Sequence, residues 1–344
     1  MRDPLAAEVS FTAADGTRLV GRRIGQGSPV ILVHGSAGGL DSWDPVVPLL
    51  ADEFELWVYA RRGYAPSGDC PGSKTFADDV ADLEAVLAAT GGRAHVVGAS
   101  YGAAVALHAA RGDSHMIRSV ALFEPPLFAA GPVLGPVLER YRALIGRGDL
   151  AAATRVFAEE VSRVPPAILR AVAEAATPPR DAGREAAEAA GAVGCLHDLE
   201  AMATDDLDID RWTDVRVPVL LIQGADTWAP MPATMQALAG ALPEVSRVVL
   251  EGQAHFATHT APAPFAQALR RFLRDRSRHP RTTSRDTLPE VAAPARRALH
   301  NAGFTSLGQL AGTPRAELAA LHGMGPQALR IIEEALEQHG LRLA

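Results

Sequence analysis

The stretch "AHVVGASYGAAVAL" (Ala94–Leu107) sets a serine between two glycines, after an apolar run and before a run of small residues. Such a serine on a tight strand-to-helix turn can act as a nucleophile if three further parts are present. It needs a base to take its proton, a carboxylate to orient that base, and N–H donors for the developing oxyanion. In an open parallel sheet these groups belong just beyond the carboxyl ends of strands. Two later segments meet that condition. "VLLIQGADTWAP" places Asp226 two residues after Gly224, where a strand should end, and "VVLEGQAHF" places His255 just past the next strand. The earlier run "VILVHG" ends in the loop "HGSAGG", where a first oxyanion donor is required. Asp226 is the expected acid. Glu124 is the alternative, because it follows the strand after the serine. His255 is preferred as base to His259, which lies further into the following segment, and His34 is expected to hold its loop in shape.

The elements that must position these residues alternate along most of the chain. "SPVILVHG" (Ser28–Gly35), "FELWVYA" (Phe54–Ala60), "AHVVGAS" (Ala94–Ser100), "IRSVALF" (Ile117–Phe123), "VPVLLIQG" (Val217–Gly224) and "SRVVLEG" (Ser246–Gly252) read as strands. They are near-continuous Val/Ile/Leu runs, the pattern of strands covered on both faces. Helices are expected over Ser42–Ala51, Phe76–Thr90, Tyr101–Arg111, Pro232–Leu242 and Pro262–Arg274. The alternation predicts an α/β fold with a mostly parallel, doubly wound sheet. Glu8–Arg23, broken by "ADGT", reads as an antiparallel hairpin at its edge. Residues 127–212 carry no strand pattern, only Ala/Glu/Arg-rich helical sequence, and are expected to form a helical cap over one end of the sheet.

The bulk numbers narrow the function. The chain has 344 residues, 48% hydrophobic and 21% charged, with a formal net charge of −7. That suits a globular protein with a sizeable core and argues against a generally basic nucleic-acid binder. The N-terminus shows no apolar segment of the kind that directs secretion, and no run approaches the roughly 20 residues that span a bilayer. The cysteines, Cys70 and Cys195, show no metal-ligand spacing. A reduced, cytoplasmic protein without membrane contact is expected.

Together "HGSAGG" (34–39), "ARRGYAPSG" (60–68), "GASYG" (98–102), "LFEPP" (122–126), "QGADTWAP" (223–230) and "GQAH" (252–255) resemble the α/β-hydrolase superfamily, in its capped esterase/lipase-like branch. The resemblance covers residues 8 to about 275, the domain being expected at 1–275. It implies Ser100 as nucleophile, Asp226 (or Glu124) as acid and His255 as general base. The backbone N–H groups of Ser36 and Tyr101 would form the oxyanion hole. A serine at the elbow points to acyl transfer and away from the epoxide- and haloalkane-hydrolysing relatives. Trp43, beside the oxyanion loop, and Trp228, after the acid, are the candidate pocket walls. The expected substrate is a small to medium, moderately apolar acyl compound: a carboxylic ester, thioester or lactone. No metal and no organic cofactor is implied.

The polar, arginine-rich "RDRSRHPRTTSRD" contains the expected linker, 276–286. Beyond it, 287–344 reads as a separate all-helical domain. Its "AGFTSLGQLAG…ELAALHGMGPQALRIIEEALEQHGL" resembles a helix-hairpin-helix unit, that of the C-terminal domain of the bacterial RNA polymerase alpha subunit. The resemblance implies hairpin N–H groups facing a DNA phosphate. Gly323 and Gly325 match the hairpin; Gln327 and Ala328 stand where a lysine and a serine commonly help, and Pro294 falls near a principal arginine. Its arginines are offset by nearby glutamates, so DNA or protein contact is an open alternative. A ligand sensor on a hydrolase scaffold, docking to DNA or a transcription component, is the second functional reading.

Overall fold

The computed structural model describes residues 7–70, 72–112, 116–175, 182–278, 288–289 and 291–344. Eight strands form one sheet: β1 (Ala7–Thr12), β2 (Arg18–Ile24), β3 (Ser28–Val33), β4 (Phe54–Tyr59), β5 (Ala94–Ala99), β6 (Ile117–Phe123), β7 (Val219–Gly224) and β8 (Val245–Leu250). Their order is β1-β2-β4-β3-β5-β6-β7-β8. The pairings β1–β2 and β2–β4 are antiparallel and all the others parallel. This is the α/β architecture that the alternating sequence pattern implies.

The central strands are buried on both faces, and alternation sorts their side chains into two cores. On β3, Ile31 and Val33 join Leu83, Val86 and Leu107 on one side. Val30 and Leu32 join Trp43, Phe265 and Leu269 on the other. Each such fully buried aliphatic contributes about 1.5–3 kcal/mol. Helices α1 (Phe76–Ala89) and α2 (Tyr101–Arg111) cover the first face. A capping box starts α1: the Thr75 N–H donates to Asp78 Oδ2 at 2.8 Å. In α2 the run Ala103, Ala104, Val105, Ala106 is wholly buried, and its small side chains let the helix lie close to the sheet.

Between β6 and β7 the chain forms α3 (Gly135–Gly146), α4 (Leu150–Val156), α5 (Pro166–Ala175) and α6 (Ala182–Ala203), with short 3₁₀ turns before α3 and after α6 and one π turn, Phe157–Val161, directly after α4. After β7 come α7 (Met231–Ala241), α8 (Ala257–Thr260) and α9 (Pro262–Arg278). The helix α9 sets Phe265, Leu269, Phe272 and Leu273 on one stripe against the second core.

Two local expectations are corrected. Ser42–Ala51 is no helix: it makes turns and a short 3₁₀ segment, Val47–Leu49. Pro45 and Pro48 remove two backbone donors there, and an α-helix would need both. The helix α9 continues to Arg278, into the stretch expected to be a linker. The remainder of that linker, from residue 279, lies outside the described residues.

The chain divides into two compact units, Met1–Arg274 and Asp275–Ala344. The second holds α10 (Ala293–Asn301), α11 (Leu307–Leu310), α12 (Arg315–Ala319) and α13 (Pro326–Gln338). They close around Leu299, Leu307, Leu310, Leu318, Ile332 and Leu336, a core of their own. Among the described residues, no helix is long and apolar enough to cross a membrane.

Candidate active site

Ser100 stands between β5 and α2 with φ 52° and ψ −121°, a backbone conformation that few residues other than glycine adopt. Neighbouring glycines make the turn possible. A Cβ on Gly98 would meet the Gly102 carbonyl oxygen at 2.2 Å, and one on Gly102 would meet that of Val33 at 2.3 Å. Ser100 Oγ lies 3.0 Å from His255 Nε2. The other ring nitrogen, Nδ1, lies 2.6 Å from Glu124 Oε2. Opposite a carboxylate Nδ1 must carry the proton, so Nε2 is left as an acceptor for the serine hydroxyl.

The carboxylate that faces His255 thus belongs to Glu124, not to Asp226. Glu124 is fully buried at the end of β6, with φ 46°. Its Oε1 accepts the Gly224 N–H at 2.8 Å, and its Oε2 also accepts the Thr227 hydroxyl at 2.9 Å. Three donors thus converge on one buried carboxylate and fix it. Asp226 is exposed; its backbone N–H donates to the Gln253 carbonyl at 2.8 Å. The β7–α7 turn therefore contributes donors from Gly224 and Thr227, and Asp226 faces solvent. His259 is likewise exposed, with Nδ1 on Thr258.

The aromatic candidates separate. Trp228 stays beside the site, its ring centroid 5.8 Å from that of His255, and its indole N–H donates to the Ser162 carbonyl at 2.8 Å. That bond ties the turn after β7 to the helical segment between β6 and β7. Trp43 is fully buried and packs against Phe265 at 6.2 Å in the second core, so it is core, not a pocket wall. Phe123 and Phe256 complete an aromatic surround of the imidazole.

Ser36 lies in the turn after β3, and Tyr101 is the first residue of α2, where a backbone N–H has no acceptor inside its own helix. His34 holds the turn from within. Burial pushes its imidazole down to about 3, with the Arg61 charge adding to the effect. The ring is neutral: Nε2 accepts the Arg61 N–H at 3.0 Å and Nδ1–H donates to the Gly35 carbonyl at 2.7 Å.

Beside this turn lies a group that no local sequence signal points to. Arg61, Lys74, Asp79 and Asp198 are all fully buried and share ion pairs. Arg61 sits in "ARRGYAPSG", directly after an apolar strand, and a buried arginine there demands a carboxylate. Its main partner, Asp198, lies 137 residues away on α6, a distance that periodicity and spacing do not bridge.

A family model described as the alpha/beta hydrolase family matches residues 30–268. The chain belongs to the alpha/beta hydrolase family. This hydrolase is 30% identical to an alpha/beta hydrolase of known structure from Sphaerobacter thermophilus, with a TM-score of 0.66 over 77% of this chain and 100% of that one. It is 26% identical to the 2-(acetamidomethylene)succinate hydrolase of Mesorhizobium japonicum, across 73% of this chain and 90% of that protein. A thermophilic esterase from Thermogutta terrifontis, 23% identical, shares the fold with a TM-score of 0.62 over 79% of this chain and 99% of its own.

Proposed function

We propose that this hydrolase is a serine enzyme that cleaves a small to medium, moderately apolar carboxylic ester, thioester or lactone through an acyl-enzyme. The observation that carries the reading is the continuous relay from Ser100 Oγ through His255 to Glu124, at 3.0 and 2.6 Å. His255 Nε2 takes the Ser100 proton as Oγ attacks the acyl carbon. The carbonyl π pair moves to oxygen, and the N–H groups of Ser36 and Tyr101 stabilise that charge. Collapse breaks the bond to the leaving group, which receives its proton from His255. Water then attacks the acyl-enzyme with His255 as base, releasing the acid and restoring Ser100. Glu124 stays ionised and steadies the imidazolium. Trp228 and Phe256 beside the histidine favour an apolar acyl or leaving group.

A panel of p-nitrophenyl esters, a thioester and a lactone tests this. The wild-type chain should turn over at least one class, and Ser100→Ala should fall to the background rate. Equal turnover by both would remove Ser100 from the chemistry.

For the C-terminal unit we infer a helix-hairpin-helix module that does not hold DNA at physiological salt. The hairpin reading is supported by Gly323 at φ 99°, by Gly325 as the N-cap of α13 and by the short α12 before them. The charge argues against phosphate binding: Arg315 pairs with Glu333 at 2.6 Å, and Arg330 lies 3.6 Å from Glu334. A fluorescent duplex titrated with the full chain should show no anisotropy change at physiological salt; saturable binding there would restore the DNA-docking reading.

A further inference from the structure

We propose that the buried ion group Arg61–Asp198–Lys74–Asp79 is the positioning device for both oxyanion-hole donors, with Asp198 making their geometry depend on the seating of α6. The inference rests on the serine reading above and adds residues to it.

The argument begins with one peptide plane. The Gly35 carbonyl and the Ser36 N–H belong to the same trans peptide, so they point in opposite directions and turn together. The Gly35 oxygen is held from two sides, by His34 Nδ1–H at 2.7 Å and by Arg61 Nη2–H at 3.2 Å. Arg61 Nε–H also donates to the preceding carbonyl, that of His34, at 3.0 Å. Fixing these oxygens fixes the direction of the Ser36 N–H. One residue further on, the Ala37 N–H donates to the Tyr64 hydroxyl at 3.3 Å.

The second donor is braced by the same charges. The Arg61 guanidinium lies 4.4 Å from the centre of the Tyr101 ring, and Lys74 Nζ lies 4.9 Å from it. The Tyr101 hydroxyl donates to Asp79 Oδ2 at 2.7 Å, and Asp79 pairs with both Arg61 and Lys74. The Ser100 carbonyl, in the peptide that carries the Tyr101 N–H, accepts from Ala103 at 2.9 Å and Ala104 at 3.2 Å. Side chain and peptide of Tyr101 are thus both held.

Asp198 closes the group. Its Oδ1 accepts from Arg61 Nη1 at 2.8 Å and Lys74 Nζ at 2.6 Å; its Oδ2 accepts from Arg61 Nη2 at 2.7 Å and the Tyr64 hydroxyl at 2.6 Å. Burial alone would favour the neutral acid, but Arg61 and Lys74 hold the Asp198 carboxyl well below the usual carboxylate range. Two cations meet two carboxylates, so losing either acid leaves buried positive charge uncompensated. Asp198 arrives on α6, and that helix approaches as closely as glycine allows: a Cβ on Gly194 would meet the Tyr64 ring at 2.4 Å. Buried ion groups seldom outperform apolar packing in stability, so what this one contributes is direction.

Asp198→Asn keeps the volume and removes the charge, and Tyr64→Phe removes only one hydroxyl and stands in if the first variant does not fold. In folded Asp198→Asn, kcat should fall tenfold or more with KM changed less than about threefold. The inhibition constant of a trifluoromethyl ketone, whose serine adduct places an oxyanion in the hole, should rise by the factor by which kcat/KM falls. Tyr64→Phe should show the same proportionality with a smaller amplitude. A purely structural role would lower the melting temperature and leave the ketone constant unmoved. A ketone-sensitive wild type with an equally sensitive folded variant overturns this inference alone; a wild type inert to the ketone overturns it together with the serine reading.

Discussion

Replacing Glu124 by Gln should lower kcat by about 10³–10⁴-fold, the scale seen when a triad carboxylate becomes an amide. Glu124 accepts three hydrogen bonds, from Gly224 N–H, Thr227 O–H and His255 Nδ1–H. A glutamine has only one oxygen to offer. If that oxygen serves Gly224, its NH₂ group faces both the Thr227 hydroxyl and the imidazole and forces Nδ1 to become the acceptor. The proton then moves to Nε2, which can no longer take one from Ser100. The fold should survive, because shape and volume are kept. Asp226→Asn, by contrast, alters an exposed side chain and should leave kcat within about twofold. Steady-state kinetics on the two variants with one ester decides between the acids. A large loss in Asp226→Asn with a near-normal Glu124→Gln would reverse the assignment.

Gly102→Ala should be severely damaging for so small a substitution. The added Cβ would lie 2.3 Å from the Val33 oxygen and 2.5 Å from the His34 oxygen, both backbone atoms at the end of β3. No rotamer relieves a clash with main chain, so α2 must withdraw from the strand. The cost should be about 3–5 kcal/mol, in the range of severe overpacking. The withdrawal also displaces the peptide before Gly35 and the first turn of α2, so reactivity at Ser100 should fall along with stability. Gly240→Ala is the matching control. It lies inside α7 with nothing within 4 Å of the new Cβ, and should stabilise by up to about 1 kcal/mol. Chemical denaturation of both variants measures the difference; equal stabilities would mean that the elbow has slack that the distances do not show.

The parts of the site legible in the sequence are those that follow from strand ends. Apolar runs mark β3, β5, β6, β7 and β8; His34, Ser100 and Glu124 directly follow the first three, Gly224 ends β7, and His255 lies in the loop after β8. Which acid faces the histidine was not legible. Asp226 and Glu124 both follow strands, and the choice depends on the path of the chain after each. The end of β7 and its turn give the Gly224 N–H and the Thr227 hydroxyl inward and the aspartate outward, whereas Glu124, at φ 46°, turns its carboxylate inward among three donors. A tryptophan beside an oxyanion loop reads equally as wall or core, and only the packing against Phe265 shows Trp43 to be core. Asp198 was hidden for a different reason. In an Ala/Glu-rich helix one more acid looks like solvated surface, and its meaning comes from Arg61, far away in sequence.

The central claim is that Ser100 is an activated nucleophile. Intact-protein mass after exposure to a fluorophosphonate tests it most directly, on the wild-type chain and on Ser100→Ala. The relay through His255 to Glu124 predicts one phosphonyl adduct on the wild type and none on the variant. No adduct on folded wild-type protein, or an equal adduct on Ser100→Ala, would contradict it.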